Sequence, residues 1–229
     1  MEDRWTRTRS LLGAEGCRRL AESRVTVVGL GGVGSYAAES LARCGIGGLT
    51  LIDHDRVAAS NINRQLPALT STLGQPKVAV MSQRIRDINP DCHVEGRMIR
   101  CTRDNINELL RNQPHYVVDA IDSVPDKVDL IEQCLVRDIP IVSAMGTGNR
   151  LDPTRIMTAD IAETHTCPLA RRVRQELRRR GIDRGVKVVF SDENPAQAEP
   201  NGAVGSVSFV PSVAGLVLTS VVVRDILQS

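Results

Sequence analysis

The chain has 229 residues, with 41% hydrophobic and 24% charged side chains, which is the composition of an ordinary globular protein. Aromatic residues make up only 2%, which argues against a protein that recognises nucleic acids by stacking bases on aromatic rings. The net charge of +2 excludes a protein that coats DNA through charge alone, and we expect no DNA partner.

The cysteines give a second set of exclusions. They stand at positions 17, 44, 92, 101, 134 and 167, and no two form a Cys-x-x-Cys pair. This spacing excludes a zinc site of paired thiolates and a thioredoxin-type motif. Charged residues run through the first 20 positions, which is not typical of a secretory signal. We therefore expect reduced cysteines and a cytoplasmic protein.

Short apolar runs alternate with helical patterns through the first half of the chain. We predict strands at 24–28, 49–52, 116–121 and 140–143, and helices at 35–44, 77–88 and 127–136. This alternation favours right-handed βαβ crossovers. The expected fold class is α/β, with a Rossmann-like, mostly parallel sheet and helices on both of its faces.

The second half is less regular. We predict strands at 155–161 and 186–190, helices at 168–180 and 213–227, and a loop at 191–205. This part is expected to extend the same sheet, so that residues 1–229 form a single domain. Residues 1–150 would be its nucleotide-binding half, and residues 151–229 its substrate and dimer half.

One apolar stretch, residues 209–223, is a candidate for membrane insertion. It has fifteen residues, against about 20 needed to span a bilayer, and it contains a proline and several hydroxyl side chains. We predict a buried C-terminal helix, and a membrane partner is not expected.

The first predicted strand leads directly into a glycine-rich turn and a helix. Its glycines, Gly29, Gly31, Gly32 and Gly34, fit the dinucleotide-binding pattern G-x-G-x-x-G. In that pattern the first glycine makes the tight turn, the second lets phosphates approach and the third lets helix and strand pack closely. Asp53 ends the next strand, 24 residues after Gly29, where an acidic side chain accepts hydrogen bonds from ribose. The combination predicts a nucleotide site.

The segment after Asp53 favours a nucleoside triphosphate over NAD. It carries a guanidinium, an ammonium, a carboxylate and several amides, on Asp55, Asn61, Arg64, Gln65 and Lys77. A triphosphate needs such positive charge, because it stabilises the charge that develops at the α-phosphorus and on the leaving pyrophosphate. No G-x-x-x-x-G-K-[ST] motif occurs, so the site is not a P-loop.

Asp122 follows a strand at the same edge of the sheet, where a carboxylate suits Mg²⁺ that bridges phosphates. Each of these residues also has a plainer interpretation. Asp55 and Arg64 could form a surface ion pair, and Lys77 could be a solvated residue at the start of a helix. Asp122 could cap the helix that follows it.

In this order the motifs resemble the ubiquitin-activating-like superfamily, whose bacterial members adenylate carboxylates. The likeness covers most of the first 150 residues. It implies ATP and Mg²⁺ as cofactors and leaves room for a monovalent cation. It also implies roles on the ribose (Asp53), on the phosphates (Arg64, Lys77), in support of that site (Asn61, Gln65) and on magnesium (Asp122).

The N-terminal segment from Arg7 to Gly13 is similar to the segment that reaches into the partner subunit of these enzymes. The resemblance implies a homodimer in which Arg7 acts in trans as an arginine finger, with Arg4 as the second choice. The alternative is a basic N-terminus without such a role.

Three further stretches, at 45–53, 85–90 and 167–181, are similar to the branch of the superfamily that dehydrates modified adenosine in tRNA. This resemblance implies adenylation of the threonyl carboxylate of threonylcarbamoyladenosine beside the anticodon. A nitrogen of the same side chain then closes a ring and expels AMP. Basic residues that are candidates for contact with RNA, or otherwise for a solvated helix face, are Arg171, Arg172, Arg174, Arg178, Arg179 and Arg180.

Two other hypotheses remain open. The chain could adenylate the C-terminal carboxylate of a small ubiquitin-like sulfur-carrier protein, with Cys167 as a nucleophile that passes sulfur on from a transfer partner. For Cys167 the plainer interpretation is a buried thiol at a helix start. The chain could also be an NAD-dependent oxidoreductase or a non-catalytic nucleotide-binding module, although Arg64, Lys77 and Asp122 argue against both.

Overall fold

The computed structural model describes residues 3–197 and 204–228. Within them, the strands are β1 (Arg24–Val28), β2 (Gly48–Ile52), β3 (His93–Arg97), β4 (Tyr116–Asp119), β5 (Ile141–Ala144), β6 (Ile156–Asp160) and β7 (Lys187–Ser191). The α-helices are α1 (Thr6–Glu22), α2 (Gly34–Arg43), α3 (Lys77–Ile88), α4 (Ile106–Leu109), α5 (Val124–Val136), α6 (Pro168–Arg179) and α7 (Phe209–Gln228).

The strands form one sheet in the order β3-β2-β1-β4-β5-β7-β6. All neighbouring pairs are parallel except β6 and β7, which are antiparallel. The predicted α/β class is therefore confirmed, and the second half of the chain extends the sheet of the first. Since β1 lies between β2 and β4, the strand order reverses there and leaves a crevice at the carboxyl ends of these strands.

Helices cover both faces of the sheet because apolar side chains alternate along the strands. Val25 and Val27 of β1 point into a core built with α1, α2, α3 and α7. Val28 of the same strand joins a second core, built with α4, α5 and α6. The predicted arrangement of helices on both sides is confirmed.

The C-terminal helix α7 begins at Phe209, four residues before the predicted start. It is long and apolar enough to cross a membrane by length and composition, and 56% of its most apolar window is buried inside the protein. Gly215 allows close packing on α2, since a Cβ there would lie 2.4 Å from the carbonyl oxygen of Val33. Thr219 Oγ1 also donates to the carbonyl oxygen of Ala37 (3.2 Å). These contacts are those of a core helix, as predicted.

Several elements differ from the sequence prediction. We predicted neither α1, β3 nor α4. Strand β4 ends at Asp119 instead of residue 121, because the Asp119 carboxylate accepts a hydrogen bond from the amide of Ile121 (3.0 Å) and turns the chain. Helix α5 begins at Val124, three residues early. In the predicted loop at 191–205, the first residue belongs to β7 and the other described residues have neither helix nor strand; residues 198–203 lie outside the described part.

Candidate active site

The glycine-rich turn after β1 has the close contacts that its sequence predicts. Gly29 has a φ of 90°, and a Cβ on it would lie 2.6 Å from the carbonyl oxygen of Ala120. A Cβ on Gly34 would lie 1.8 Å from the carbonyl oxygen of Gly29. Gly31 is different, because the nearest atom to its ideal Cβ is Gln65 Nε2 at 3.9 Å. The turn is therefore closed behind Gly29 and Gly34 and open in front of Gly31, where an anion can approach.

A cleft of about 480 Å³ lies in front of this turn, at the carboxyl edge of the sheet. This volume is in the range of small-molecule sites. It brings together the following candidate residues of the sequence analysis: Gly29, Gly31, Gly32, Asp53, Asp55, Asn61, Arg64, Gln65, Lys77 and Asp122. Gly34 is not among the lining residues, because it packs behind the turn.

Asp53 joins the two loops that border the cleft. Its Oδ2 accepts a hydrogen bond from the amide of Leu30 in the glycine turn (2.6 Å), and its Oδ1 accepts one from the amide of Asp55 (2.7 Å). The side chain is almost completely buried. A carboxylate has further lone pairs, so both oxygens can still accept hydrogen bonds from ribose hydroxyls.

Lys77 and Asp55 form an ion pair inside the cleft. Lys77 Nζ lies 2.8 Å from Asp55 Oδ2, and the lysine side chain is only 5% exposed. Burial raises the pKa of Asp55, but the hydrogen bond and charge of Lys77, together with the nearby His54, outweigh it and leave that pKa below its usual value. Asp55 thus pairs with Lys77 and not with Arg64, and Lys77 is not a solvated surface residue.

Arg64 and Asn61 share one short turn beside the cleft. The Arg64 Nη1 donates to the carbonyl oxygen of Ser60 (2.9 Å) and to Asn63 Oδ1 (2.8 Å). The Asn61 Oδ1 accepts a hydrogen bond from the amide of Ala58 (3.1 Å). Asn61 therefore stabilises the turn that carries Arg64. No carboxylate of the described residues pairs with this guanidinium, which leaves its charge available to a phosphate.

Gln65 follows Arg64 and is 8% exposed. Its Oε1 is buried and has no hydrogen-bond donor within the described part of the chain. Buried polar atoms are nearly always paired, so an orphaned acceptor at the cleft wall is a position where a ligand hydroxyl could donate.

Asp122 lies at the other side of the cleft, in the loop between β4 and α5. Its side chain is exposed and makes no hydrogen bond or ion pair with the described residues. Helix α5 has Ser123 as its N-cap and no side-chain cap. The carboxylate is therefore not a helix cap, and its oxygens are free for a metal ion.

A buried network below this loop was not anticipated. Lys127 Nζ lies 2.7 Å from Asp119 Oδ2, and both side chains are fully buried. The same nitrogen donates to Ser143 Oγ (3.1 Å) and to the carbonyl oxygen of Ala144 (2.9 Å). The network joins β4, β5 and α5 at the base of the Asp122 loop. The only signal in the sequence is that Lys127 is one of three lysines beside 26 arginines.

A second unanticipated pair is at the rim of the cleft. Arg100 Nη2 lies 2.7 Å from Asp126 Oδ2, and both residues line the cleft. Arg100 is in the connection after β3. Because the sequence prediction missed this strand, it did not place Arg100 at the carboxyl edge of the sheet.

Arg7 and Arg4 are not brought to the cleft of their own chain. Arg7 lies on α1, where it is exposed and has no partner among the described residues. Arg4 Nη1 donates to the carbonyl oxygen of Ile88 (2.9 Å) and is thus held against its own chain.

Cys167 is not among the residues that line the cleft. It is 3% exposed and is the N-cap of α6, where its sulfur accepts a hydrogen bond from the amide of Ala170 (3.5 Å). The position is that of a buried thiol at a helix start. A role as nucleophile stays a prediction.

The arginines of the α6 region fall into two groups. Arg174 Nη1 donates to the carbonyl oxygen of Thr164 (2.8 Å), and Arg180 Nη1 pairs with Asp129 (2.6 Å) and Glu132 (2.8 Å). These two stabilise the protein itself. The exposed members are Arg171, Arg172, Arg178 and Arg179. Of these, Arg178 pairs with Asp183 (3.8 Å) and Arg179 with Glu176 (2.5 Å).

Comparisons with known proteins agree with this geometry. The sequence matches the ThiF family over residues 5–229. It is 45% identical to the tRNA threonylcarbamoyladenosine dehydratase of Bacillus subtilis, over 100% of this chain and 96% of that protein. Among solved structures it is similar to the E. coli tRNA N6-threonylcarbamoyladenosine dehydratase, TcdA, in complex with ATP. That likeness has a TM-score of 0.92 and 39% identity, and covers 98% of this chain and 94% of the other. The AMP complex of the same protein matches with a TM-score of 0.93 at 38% identity, over 99% and 96% of the two chains.

Proposed function

The chain belongs to the ThiF family, and we propose that it is an enzyme that dehydrates threonylcarbamoyladenosine beside the tRNA anticodon at the expense of ATP. One observation carries the proposal. A single cleft at the switch point of the sheet brings together the open turn at Gly31, the paired Lys77, the unpaired Arg64 and the free carboxylate of Asp122. That set suits a nucleoside triphosphate whose α-phosphorus is attacked.

The reaction has two steps. The threonyl carboxylate attacks the α-phosphorus of ATP, the bond to pyrophosphate breaks, and a mixed anhydride with AMP forms. A nitrogen of the same side chain then attacks the activated carbonyl carbon, loses its proton and expels AMP, which leaves a ring with one water less. Because the attacking nitrogen is tethered, the enzyme supplies positioning and charge and needs no nucleophile of its own.

The places of the nucleotide-site residues in the cleft support the following roles. Asp53 accepts hydrogen bonds from the ribose, with Gln65 Oε1 as a second acceptor. The amides of the open glycine turn face the phosphates at the start of α2. Arg64 and Lys77 supply positive charge to the phosphates, with Asn61 supporting the turn of Arg64.

Magnesium fits at Asp122. Its carboxylate is exposed in the cleft and makes no hydrogen bond or ion pair with the described residues, and Mg²⁺ takes oxygen ligands. When bound, the ion neutralises phosphate charge. The role of the protein is to hold the Asp122 carboxylate in place through the loop after β4.

We further propose a homodimer in which Arg7 reaches the partner's cleft. Arg7 is exposed and unpaired on α1 within the described part of the chain. Exposed apolar side chains accompany it on α1 and α7, namely Leu11 (83% exposed), Leu216 (48%) and Phe209 (45%). A surface of that kind is typical of an interface between subunits.

The half of the domain formed by residues 151–229 is proposed to bind the tRNA. Its exposed arginines on α6 suit phosphate contacts, which position an RNA without reading its bases. A cytoplasmic location agrees with such a substrate and with six free cysteines.

Activation of a sulfur-carrier protein is less well supported. That reaction with sulfur transfer would need an accessible thiol, whereas Cys167 is buried and caps α6.

A single reaction tests the proposal. The protein is mixed with ATP, Mg²⁺ and tRNA that carries threonylcarbamoyladenosine, and the nucleosides are weighed after a mild digestion. We expect the modified nucleoside to lose one water, with one AMP released for each ring formed. A sample that binds ATP but leaves the nucleoside mass unchanged would contradict the proposal, and a reaction without ATP is the control.

A further inference from the structure

Arg150 lies in the loop after β5 and is 4% exposed. A fully charged side chain is rarely buried to this extent without a counterion. None of the described residues forms an ion pair with it. It therefore differs from Arg180, whose charge is paired with the carboxylates of Asp129 and Glu132.

Among the described residues, the guanidinium of Arg150 has one hydrogen-bond partner, and two of its nitrogens have none. Nη1 donates to the carbonyl oxygen of Gly148 (2.9 Å). Nε and Nη2 are buried and have no acceptor within residues 3–197 and 204–228. These two nitrogens lie on the same edge of the guanidinium plane, which is the edge that binds a carboxylate or a phosphate with two parallel hydrogen bonds.

Two carboxylates, those of Asp152 and Glu193, lie beside the loop of Arg150, and both accept hydrogen bonds from backbone amides. Glu193 accepts hydrogen bonds from the amides of Leu151 (3.0 Å) and Asp152 (2.9 Å). Asp152 accepts from the amide of Thr154 (2.9 Å). Within residues 3–197 and 204–228 no carboxylate compensates the charge of Arg150, and a buried, unpaired charge is costly. Such an arrangement is favourable when an anion from outside completes it.

The topology places the loop that carries Arg150 beside the loop of Asp122. Strands β4 and β5 are parallel neighbours with Asp119 in register with Ser143, so the loops that follow them leave the same edge side by side. The order along that edge is the glycine turn after β1, the Asp122 loop after β4 and the Arg150 loop after β5. Arg150 is therefore on the side of Asp122 that faces away from the glycine turn.

We propose that Arg150 binds an oxyanion of the tRNA substrate, through Nε and Nη2. The inference rests on the proposed function, which supplies the substrate. Two oxyanions of this tRNA share the required chemistry, the threonyl carboxylate and a phosphate of the anticodon-loop backbone.

The test compares Arg150→Gln with Arg150→Lys, and with Arg155→Gln as the matched control, because Arg155 is exposed and paired with Asp192 (2.8 Å). For Arg150→Gln we expect kcat/KM for the modified tRNA to fall by about 10- to 100-fold. The lysine variant keeps the charge but not the two-pronged geometry, so it should lie between. The control should match the wild type.

Two further readouts separate substrate binding from a structural role. ATP affinity measured by calorimetry should be unchanged in Arg150→Gln, because Arg150 does not line the nucleotide cleft. The melting temperature should stay the same or rise, because the substitution removes an uncompensated buried charge. A large loss of stability together with lost ATP binding would show a structural role and overturn the inference.

The source of the oxyanion is found from tRNA binding. Affinities are measured for the same tRNA with and without the threonylcarbamoyl group. A carboxylate partner predicts that Arg150→Gln weakens only the modified tRNA, and a phosphate partner predicts that it weakens both equally. Wild-type affinity and turnover in Arg150→Gln would refute the inference alone. A wild type that binds tRNA but forms no ring would refute the proposed reaction alone, and one that does not bind tRNA would refute both.

Discussion

The ammonium of Lys77, which is almost fully buried, is held 2.8 Å from the half-exposed carboxylate of Asp55. The backbone repeats the connection, since the amide of Lys77 donates to the carbonyl oxygen of Asp55 (3.1 Å). The segment after β2 and the start of α3 are thereby joined at the floor of the cleft. Lys77 is oriented before any phosphate arrives, which is the condition for electrostatic stabilisation without reorganisation.

This pair predicts a pH-dependent stability. Asp55→Asn keeps the hydrogen-bond acceptor but removes the charge, and leaves a buried ammonium without a counterion. Because the folded pKa of Asp55 is lowered, its contribution is fully present above the ordinary value of 3.8 and is lost as pH falls through the lower folded value. Urea unfolding at a series of pH values should therefore show a less stable variant at neutral pH and a gap that closes in acid. A gap that is constant with pH would contradict this origin.

Replacing glycine by alanine at two positions of the glycine turn should cause two different defects. Gly34→Ala places a Cβ at 1.8 Å from a carbonyl oxygen, so the protein should be strongly destabilised. Gly31→Ala has space for its methyl group in the free protein, so its melting temperature should change little. The methyl would nevertheless stand where a phosphate must approach, and ATP affinity should fall by about tenfold or more. Calorimetry and thermal melting of both variants test the distinction; equal melting temperatures would contradict it.

The buried network below Asp122 predicts strong coupling. Lys127→Met leaves the Asp119 carboxylate fully buried without its counterion, which should cost about 3–5 kcal/mol of unfolding free energy. In Lys127→Met/Asp119→Asn the uncompensated charge is gone, so the double variant should be more stable than Lys127→Met alone. A double-mutant cycle by urea unfolding measures this, and simple additivity would exclude the coupling.

The N-cap position of Cys167 predicts that two substitutions separate structure from chemistry. Serine is a good N-cap, so Cys167→Ser should keep both stability and ring closure. Cys167→Ala loses the hydrogen bond to Ala170 and should be less stable by about 1 kcal/mol, with turnover intact. Loss of turnover in the stable serine variant would indicate thiol chemistry instead.

Alkylation of the native protein gives an independent check on the cysteines. Burial raises the pKa of Cys92 to about 11 and that of Cys101 and Cys134 to about 12, so these thiols stay protonated as well as inaccessible. Burial also raises the pKa of Cys44, so mass spectrometry after brief treatment at neutral pH should find label first on the partly exposed Cys17, then on Cys44, and last on the buried four.

The proposed action of Arg7 in trans predicts a separation of binding from turnover. Arg7→Ala should bind ATP normally but turn over at least tenfold more slowly, because its guanidinium acts only on the transition state. Sedimentation at micromolar concentration should show a dimer. A monomer, or a full-rate Arg7→Ala enzyme, would remove this role.

The residues at the carboxyl ends of β1, β2 and β4 could be placed from the sequence, because parallel strands deliver their ends to one edge. The glycine turn, Asp53 and Asp122 were predicted in this way and do line the cleft or its turn. Strand β3 was missed because His93–Arg97 is a polar edge strand with a glycine and only one apolar side chain. Helix α1 was missed because arginines are spread through it.

Contacts between distant segments were beyond sequence reasoning. The counterion of Lys77 is 22 residues away and that of Lys127 precedes its own helix, with Ser143 from the next strand completing the network. The sequence also does not show that Nε and Nη2 of Arg150 lack an acceptor among the described residues, because this depends on which groups the neighbouring carboxylates bind in the fold.

The close approach of Gly29 to Ala120 has a consequence for the thermodynamics of nucleotide binding. No side chain separates them, so the turn after β1 packs directly on the loop that leads to Asp122. We expect the two segments to move together. The backbone of these two segments should then lose little conformational entropy when both bind the same ligand. The cleft of the free enzyme should therefore already have the shape that it has when ATP is bound. The free energy of ATP binding should then come from the contacts with ATP, with little lost to ordering the cleft.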